Sequence, residues 1–195
     1  MYQDYPNRKL NRMRGYDYAQ NGFYFVSICV KNKIDYFGSI SNSQMNLNEF
    51  GKIVENCWHD LINHYWNCRL DEFIIMPNHV HGIVELNNFA RINNMHEGAD
   101  LKPVCTDFAA RTELASSNEK CDRAKLFKYS LSEIIRGFKT FSSRKINILD
   151  PKIMFRWQRS FHDHIIRDKE SLRRIREYIR NNPAKWESDK NNLKI

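Results

Sequence analysis

The sequence predicts an α+β domain: a ferredoxin-like, split βαβ antiparallel sheet with helices, and an added C-terminal helix. Three observations support this. Segments with strand and helix periodicity alternate in the order β-α-β-β-α-β-α. A Pro-Asn dipeptide separates two strand-like runs in the middle of the chain. A last amphipathic segment follows the sixth element and stops at a proline.

The first four elements occupy the N-terminal half. Residues 22–30, "GFYFVSICV", are aromatic and β-branched, which is typical of a strand. Residues 48–66 carry apolar side chains at helical spacing. Residues 69–76 and 79–86 read as two strands, and the Pro-Asn dipeptide between them suits a tight hairpin turn.

The remaining elements follow a long interruption. Residues 87–125 lack a period and are rich in Asn, Ala, Ser and charge, so we expect a flexible insertion in a single domain that spans 1–195. Residues 128–147 are predicted to be helical and 154–167 extended. The last helix is predicted over about 169–182, and the proline that follows should push Asn182 out of helical geometry.

Composition limits the classes of function. The net charge is +8, and residues 121–195 hold 19 Lys and Arg against 9 Asp and Glu. Such a concentration suits a polyphosphate partner, although a solvated basic surface is the simpler alternative. No apolar run approaches the ~18 residues of a membrane helix, and the N-terminus lacks the apolar centre of a signal peptide. Five scattered cysteines without a CxxC pair argue against a disulfide framework. We therefore expect a cytoplasmic protein with no membrane partner.

Two histidines one residue apart, His79 and His81, open the second hairpin strand. Alternation places both imidazoles on one face, with their Cβ atoms about 7 Å apart. We expect His79 near an accessible end of the sheet. Such a pair can share a metal ion, fill a core or lie idle at a sheet edge, and the pair alone does not decide among these.

The last predicted helix places Tyr178 and Asn182 along one edge of a narrow apolar stripe, with arginines on both sides. A tyrosine beside an apolar stripe is usually a packed amphipathic side chain. The presence of a same-face histidine pair and many basic residues in the same small domain favours a catalytic role for this phenol.

These segments together resemble a known family. "MPNHVHGIVEL" resembles the His-hydrophobic-His signature of the HUH endonuclease superfamily. "YIRNNPAKW", "WQRSFHDHIIR" and "YDYAQNGFYFVSICV" resemble the single-tyrosine branch, and within it the REP-associated tyrosine transposases. The resemblance covers most of residues 8–187, apart from the insertion.

The resemblance implies a function for each matching residue. His79 and His81 would bind a divalent cation, Mg²⁺ or Mn²⁺, with Asn182 as a third ligand where relatives often have Gln. Tyr178 would attack a phosphodiester and form a 5′-phosphotyrosine. The implied protein is a single-strand DNA endonuclease or transposase that cleaves and rejoins DNA next to hairpins. Ligand preference alone favours Zn²⁺ or Mn²⁺ over Mg²⁺ at two imidazoles.

Basic side chains near these motifs are candidate phosphate contacts, which position DNA rather than read its sequence. The candidates are Arg12, Arg14, Arg136, Lys139, Arg144, Arg159, Arg174 and Arg180. The partner would be single-stranded or hairpin DNA, bound by a homodimer or a monomer.

Two other readings stay open. One is a non-cleaving, sequence- or hairpin-specific DNA-binding protein on the same fold, and the other is a hydrolase that uses the histidine pair without a covalent intermediate. A second HxH, His162 and His164, is expected to be packed or hydrogen-bonded rather than metal-bound, with Asp163 pointing the opposite way.

Overall fold

The computed structural model describes residues 12–89 and 128–192. Its main sheet has four antiparallel strands: β1 (Gly22–Cys29), β4 (Cys68–Met76), β5 (His79–Leu86) and β6 (His162–Ile166). Their order across the sheet is β4-β5-β1-β6. Each βαβ unit is therefore split by one inserted strand, which confirms the predicted ferredoxin-like sheet.

A small hairpin precedes the first long helix and was not predicted. It consists of β2 (Gly38–Ser41) and β3 (Gln44–Leu47), which pair with each other in a separate two-stranded sheet. Its turn residues, Asn42 and Ser43, both have positive φ angles, as the tight turns of two-residue hairpins require.

Two helical segments cover one face of the main sheet. The predicted helix over 48–66 forms α1 (Glu49–His59) and the single turn α2 (Leu61–His64), and the next predicted helix is α3 (Leu131–Leu149). Asn48 caps α1, and Ser130 with Glu133 forms a reciprocal capping box at the start of α3. The main core lies between these helices and the sheet.

That core depends on a close approach at Gly82 of β5. A Cβ built there would lie 2.3 Å from the Trp58 ring, so only glycine lets this buried ring approach the strand so closely. Trp58 in turn stacks on Phe73 and meets Phe138 edge-on, which ties α1, β4 and α3 together.

The added C-terminal helix, α4 (Lys169–Arg180), covers part of the opposite face. Its predicted apolar stripe, Leu172, Ile175 and Ile179, packs on that face in a second small core. The four strands contribute Phe23, Phe25, Ile74, Ile83 and Ile166 to this core. The helix is also tied to β4 by ion pairs from Arg176 to Asp71 and from Arg180 to Glu72.

The chain after α4 differs from its prediction. Asn182 has φ −61° and ψ −43°, which is helical geometry, so the expectation that the proline would push it out of helix was wrong. It begins a 3₁₀ segment, Pro183–Ser188, that turns the chain back over the sheet. Regular extended structure in 154–167 is shorter than predicted, because only His162–Ile166 pairs as a strand while Phe155 and Trp157 pack into the main core.

The expected insertion over 87–125 falls almost wholly outside the described residues, of which only 87–89 belong to it. Within the described part of the chain, no helix is both long and apolar enough to cross a membrane.

Candidate active site at the histidine pair

The α4-covered face of the sheet brings together the two histidines and the tyrosine. His79 and His81 project from β5, and their Nε2 atoms lie 3.1 Å apart. The Tyr178 hydroxyl, on α4, lies 3.4 Å from Nε2 of His81. Residues from the middle and the end of the same chain therefore meet at one point.

The Nδ1 atom of each imidazole has a hydrogen-bond partner. Nδ1 of His79 lies 2.9 Å from Oδ1 of Asn78, and the Asn78 amide nitrogen donates to Asp35 and to the Asn191 carbonyl. Because the amide oxygen can only accept, His79 carries its proton on Nδ1 and presents a lone pair at Nε2. Nδ1 of His81 lies 2.8 Å from Oγ of Ser27, which can accept in the same way.

Both imidazoles are neutral at physiological pH. His79 is 0% and His81 4% exposed. Burial lowers the pKa of each to about 3, and the positive charges of Lys33 and Lys190 act in the same direction on His79. If His81, like His79, carries its proton on Nδ1, the two Nε2 lone pairs 3.1 Å apart can both bind one cation.

A third possible ligand comes from a residue that sequence reasoning missed. A carboxylate oxygen of Asp189 and a nitrogen from each histidine all lie within 4.8 Å of one another. Asp189 follows the 3₁₀ segment, whose Trp186 ring lies 5.9 Å from that of His79. No spacing rule links position 189 to the histidines, because only the fold of this segment brings it back.

Asn182, the predicted third ligand, lies next to Tyr178, where burial raises the pKa of the phenol and the Asn182 side chain lowers it in part. Asn182 is 2% exposed, and its Oδ1 is buried without a hydrogen-bond partner. A buried amide oxygen without a hydrogen-bond partner can bind a cation or accept a hydrogen bond from a ligand. The two imidazoles and the Asp189 carboxylate therefore fit a divalent metal.

Tyr178 is half-buried rather than packed away, with 43% of its surface exposed. Burial raises the pKa of its phenol, Asn182 opposes that rise, and the Asp189 charge adds to it. The hydroxyl therefore keeps its proton at neutral pH. The Phe25 ring stacks on that of His81 and meets the Tyr178 ring edge-on, so it packs against both.

His79 begins β5 as predicted, but it is not accessible. The chain from Trp186 to Asn191 lies over it, so the expectation of an open sheet end was wrong. The second pair, His162 and His164, was expected to be packed or hydrogen-bonded. Both are exposed instead, and no described residue hydrogen-bonds to either imidazole.

Three candidate phosphate contacts, Arg12, Arg136 and Arg159, line one cleft of about 740 Å³ between α3 and the chain before β6. Lys139 lines it too, but its ammonium already donates to the carbonyls of Gln158, Arg159 and Ser160. Elsewhere, Arg180 pairs with Glu72 while Arg14, Arg144 and Arg174 are exposed. The structure thus gathers four of the eight candidates and separates the rest.

Comparison with known proteins identifies the fold. No protein-family model matches the chain. A REP-associated tyrosine transposase bound to a REP hairpin superposes with a TM-score of 0.52 at 16% identity, over 89% of this chain and 73% of that one. The chain has the fold of the REP-associated tyrosine transposases, as its sequence motifs predicted.

One curated protein is related to the chain by sequence. An uncharacterized protein of Haemophilus influenzae is 37% identical over 186 residues, which is 94% of this chain and 92% of the relative. The chain belongs to the same family as this Haemophilus protein.

Proposed function

We propose that this protein is a metal-dependent tyrosine transposase, or strand transferase, that acts on single-stranded DNA next to hairpins. The observation that carries the proposal is the 3.4 Å approach of the Tyr178 hydroxyl to the paired imidazoles of its own chain. A nucleophile beside a chelating pair is the arrangement that phosphoryl transfer through a covalent enzyme intermediate needs. The hairpin in the similar solved structure supports the choice of DNA partner.

The site would hold Mg²⁺ or Mn²⁺ through His79, His81 and a third oxygen ligand from Asp189 or Asn182. A bound divalent cation supplies charge that polarises a non-bridging phosphate oxygen and favours loss of the phenol proton. Neutral imidazoles suit this role because they leave most of that charge on the ion. Asn182 acts on Tyr178 as well, since its side chain opposes the rise of the phenol pKa.

The chemistry balances as a transesterification. The Tyr178 oxygen forms a bond to phosphorus, the bond from phosphorus to the 3′ oxygen breaks, and the products are a 5′-phosphotyrosine and a free 3′-hydroxyl. The phenol proton leaves to solvent, and the departing 3′ oxygen takes one up. A phenolate leaves more easily than an alkoxide, so a second 3′-hydroxyl can displace it and rejoin the strand.

Strand binding would use the basic cleft beside α3. Arg12, Arg136 and Arg159 line it together with the Phe161 ring, over which the Arg12 guanidinium stacks at 4.8 Å. Cations next to aromatic faces bind single strands without strong sequence preference. The same chain contributes Tyr178 and the histidines, so we propose that a monomer assembles the complete site.

A second candidate, a DNA-binding protein that no longer cleaves, has one observation in its favour. His79 is fully buried under the segment that carries Trp186 and Asp189, which leaves no open path to it from solvent. The two candidates make the same prediction for binding and opposite predictions for covalent chemistry.

A labelled hairpin oligonucleotide with a single-stranded flank, incubated with Mg²⁺ or Mn²⁺, separates the candidates. The transposase forms a denaturation-resistant protein–DNA adduct, Tyr178→Phe abolishes it, and Tyr129→Phe leaves it intact because that ring packs against Tyr65 far from the site. Binding without adduct or cleavage in either metal supports the non-cleaving protein. Cleavage without an adduct, retained in Tyr178→Phe, supports the metal hydrolase.

A further inference from the structure

Two consecutive acidic residues of β4, Asp71 and Glu72, both face α4. Side chains alternate between the two faces of a regular strand, so neighbours normally point in opposite directions. The pairing of β4 with β5 shifts by one residue between Leu70 and Phe73, which is a β-bulge. Two residues of β4 therefore oppose one residue of β5, and both carboxylates lie on the α4-covered face.

Each of these carboxylates binds an arginine of α4. The Arg176 guanidinium makes a two-point contact with Asp71, in which its Nε donates at 2.8 Å. One turn later, Arg180 donates to Glu72 at 2.6 Å. Because the contact at Asp71 has two points, it fixes the orientation of α4 as well as its distance from β4.

The arginines and the phenol lie at opposite edges of the apolar stripe of α4. At about 100° per residue, Tyr178 lies about 160° around the helix from both Arg176 and Arg180. The apolar contacts of the stripe are non-directional, so they restrain the rotation of α4 less than the directional ion pairs do. The pairs at one edge therefore determine where the phenol at the other edge points.

A small rotation of α4 has a large effect at the phenol. A tyrosine hydroxyl lies roughly 8 Å from its helix axis, so a turn of about 10° moves it by about 1.4 Å. Its distance from Nε2 of His81 is 3.4 Å. Misplacing a reacting group by about 1 Å can cost about 100-fold in rate.

We propose that Asp71 and Glu72 are positioning residues, which set the rotation of α4 and so direct the Tyr178 hydroxyl at the histidine pair. This role rests on the proposed function, because the rotation affects the rate only if Tyr178 reacts. The two carboxylates act through Arg176 and Arg180 rather than on the DNA itself.

A charge swap tests the two-point pair. Asp71→Arg and Arg176→Glu, made singly, each place like charges together, whereas the double variant restores a pair with the charges exchanged. The measured quantity is the rate constant for forming the protein–DNA adduct at saturating hairpin oligonucleotide and Mn²⁺. Each single variant is expected to lower it about tenfold or more, and the double variant to recover it to within about threefold.

A loss of folding and a change in net charge would give other patterns. A pair that only stabilises the fold would reduce the amount of adduct, through fewer folded molecules, and leave the rate constant unchanged. Asp71→Arg makes the protein more positive and Arg176→Glu makes it more negative, so a charge effect on DNA binding has opposite signs in the two. The rate constant is expected to fall in both.

Two further variants complete the comparison. Asp71→Asn combined with Glu72→Gln keeps both shapes and removes both charges, so it decides the matter if the reversed charges prevent folding; its rate constant should fall about tenfold. The control is Glu170→Gln, which weakens an ion pair with Arg173 that lies wholly within α4. This control should keep the rate constant within about twofold of the wild type.

The position of the phenol is also measurable without any reaction. In EDTA, the nuclear Overhauser effect between the rings of Tyr178 and Phe25, whose centres lie 6.0 Å apart, should weaken in the single variants and return in the double variant. Wild-type rate constants in both single variants, or a double variant as slow as they are, overturn the positioning role. A wild-type protein that forms no adduct overturns the proposed function, and an unchanged ring contact in the single variants then overturns the positioning role as well.

Discussion

Replacing Asp189 by asparagine tests the proposed metal site with almost no change in shape. The variant keeps an oxygen that can accept from the Asn191 amide, as Asp189 does, but removes the negative charge. The metal-free variant should therefore unfold within about 0.5 kcal/mol of the wild type, as surface substitutions usually do. Its response to metal should differ sharply.

The magnitude follows from mass action. Mn²⁺ at about 100 times its Kd stabilises a protein that binds it only when folded by about 2.7 kcal/mol. For a chain of this length that corresponds to a rise in Tm of about 5–11 °C. If loss of the carboxylate weakens binding about 100-fold, the same Mn²⁺ concentration adds only about 0.4 kcal/mol and 1–2 °C.

Differential scanning fluorimetry over a Mn²⁺ titration measures this directly, with EDTA as the baseline. Asp150→Asn, which removes a carboxylate far from the histidines, should show the wild-type shift. An Asp189→Asn variant with an undiminished shift would remove Asp189 from the ligand set. A wild-type protein with no shift in any divalent metal would remove the metal site altogether.

Three further outcomes are expected. Gly82→Ala should lower stability by about 1–3 kcal/mol, measured by urea unfolding, because its Cβ meets the Trp58 ring; an unchanged midpoint would contradict the close approach. Asp71→Asn should cost about 1 kcal/mol at pH 7 by thermal unfolding, since it breaks the bidentate pair with Arg176. The Arg176 pair lowers the pKa of Asp71, so this difference should shrink as the pH falls below about 4, where the carboxylate takes up a proton in the unfolded chain first; a difference that grows in acid would be inconsistent with the pair. Burial raises the pKa of the Cys68 thiol to about 12 and raises those of Cys29 and Cys57, so these three should resist iodoacetamide in the native protein and react in urea, as peptide mass mapping can show; rapid native labelling of Cys68 would argue against its burial.

Periodicity was enough to predict the main sheet and its helices. The β4–β5 hairpin follows from two apolar runs around a Pro-Asn turn, and the inward face of α4 follows from Leu172, Ile175 and Ile179 at helical spacing. The β2–β3 hairpin escaped prediction because its strands, "GSIS" and "QMNL", are short, mostly polar and only partly buried. Strands this short and polar show no clear alternation of apolar and polar residues, so periodicity does not predict them.

The side chains of the candidate site were predictable to the extent that each lies on a regular element. Strand alternation places His79 and His81 on one face, and the helical wheel places Tyr178 at the edge of the buried stripe. Their approach within 3.4 Å was visible only in the structure. Asp189 was missed because it follows an irregular 3₁₀ segment whose path no local rule predicts. The burial of His79 was missed for the same reason, since that segment provides the cover.

The central claim is that the Tyr178 oxygen becomes covalently attached to DNA. Intact-mass and tryptic-peptide mass spectrometry of the protein, after incubation with a hairpin oligonucleotide and Mn²⁺, would locate the attachment. The claim predicts a nucleotide 5′-phosphate on the peptide 177–180. A modification on any other residue, or cleaved DNA with an unmodified protein, would contradict it.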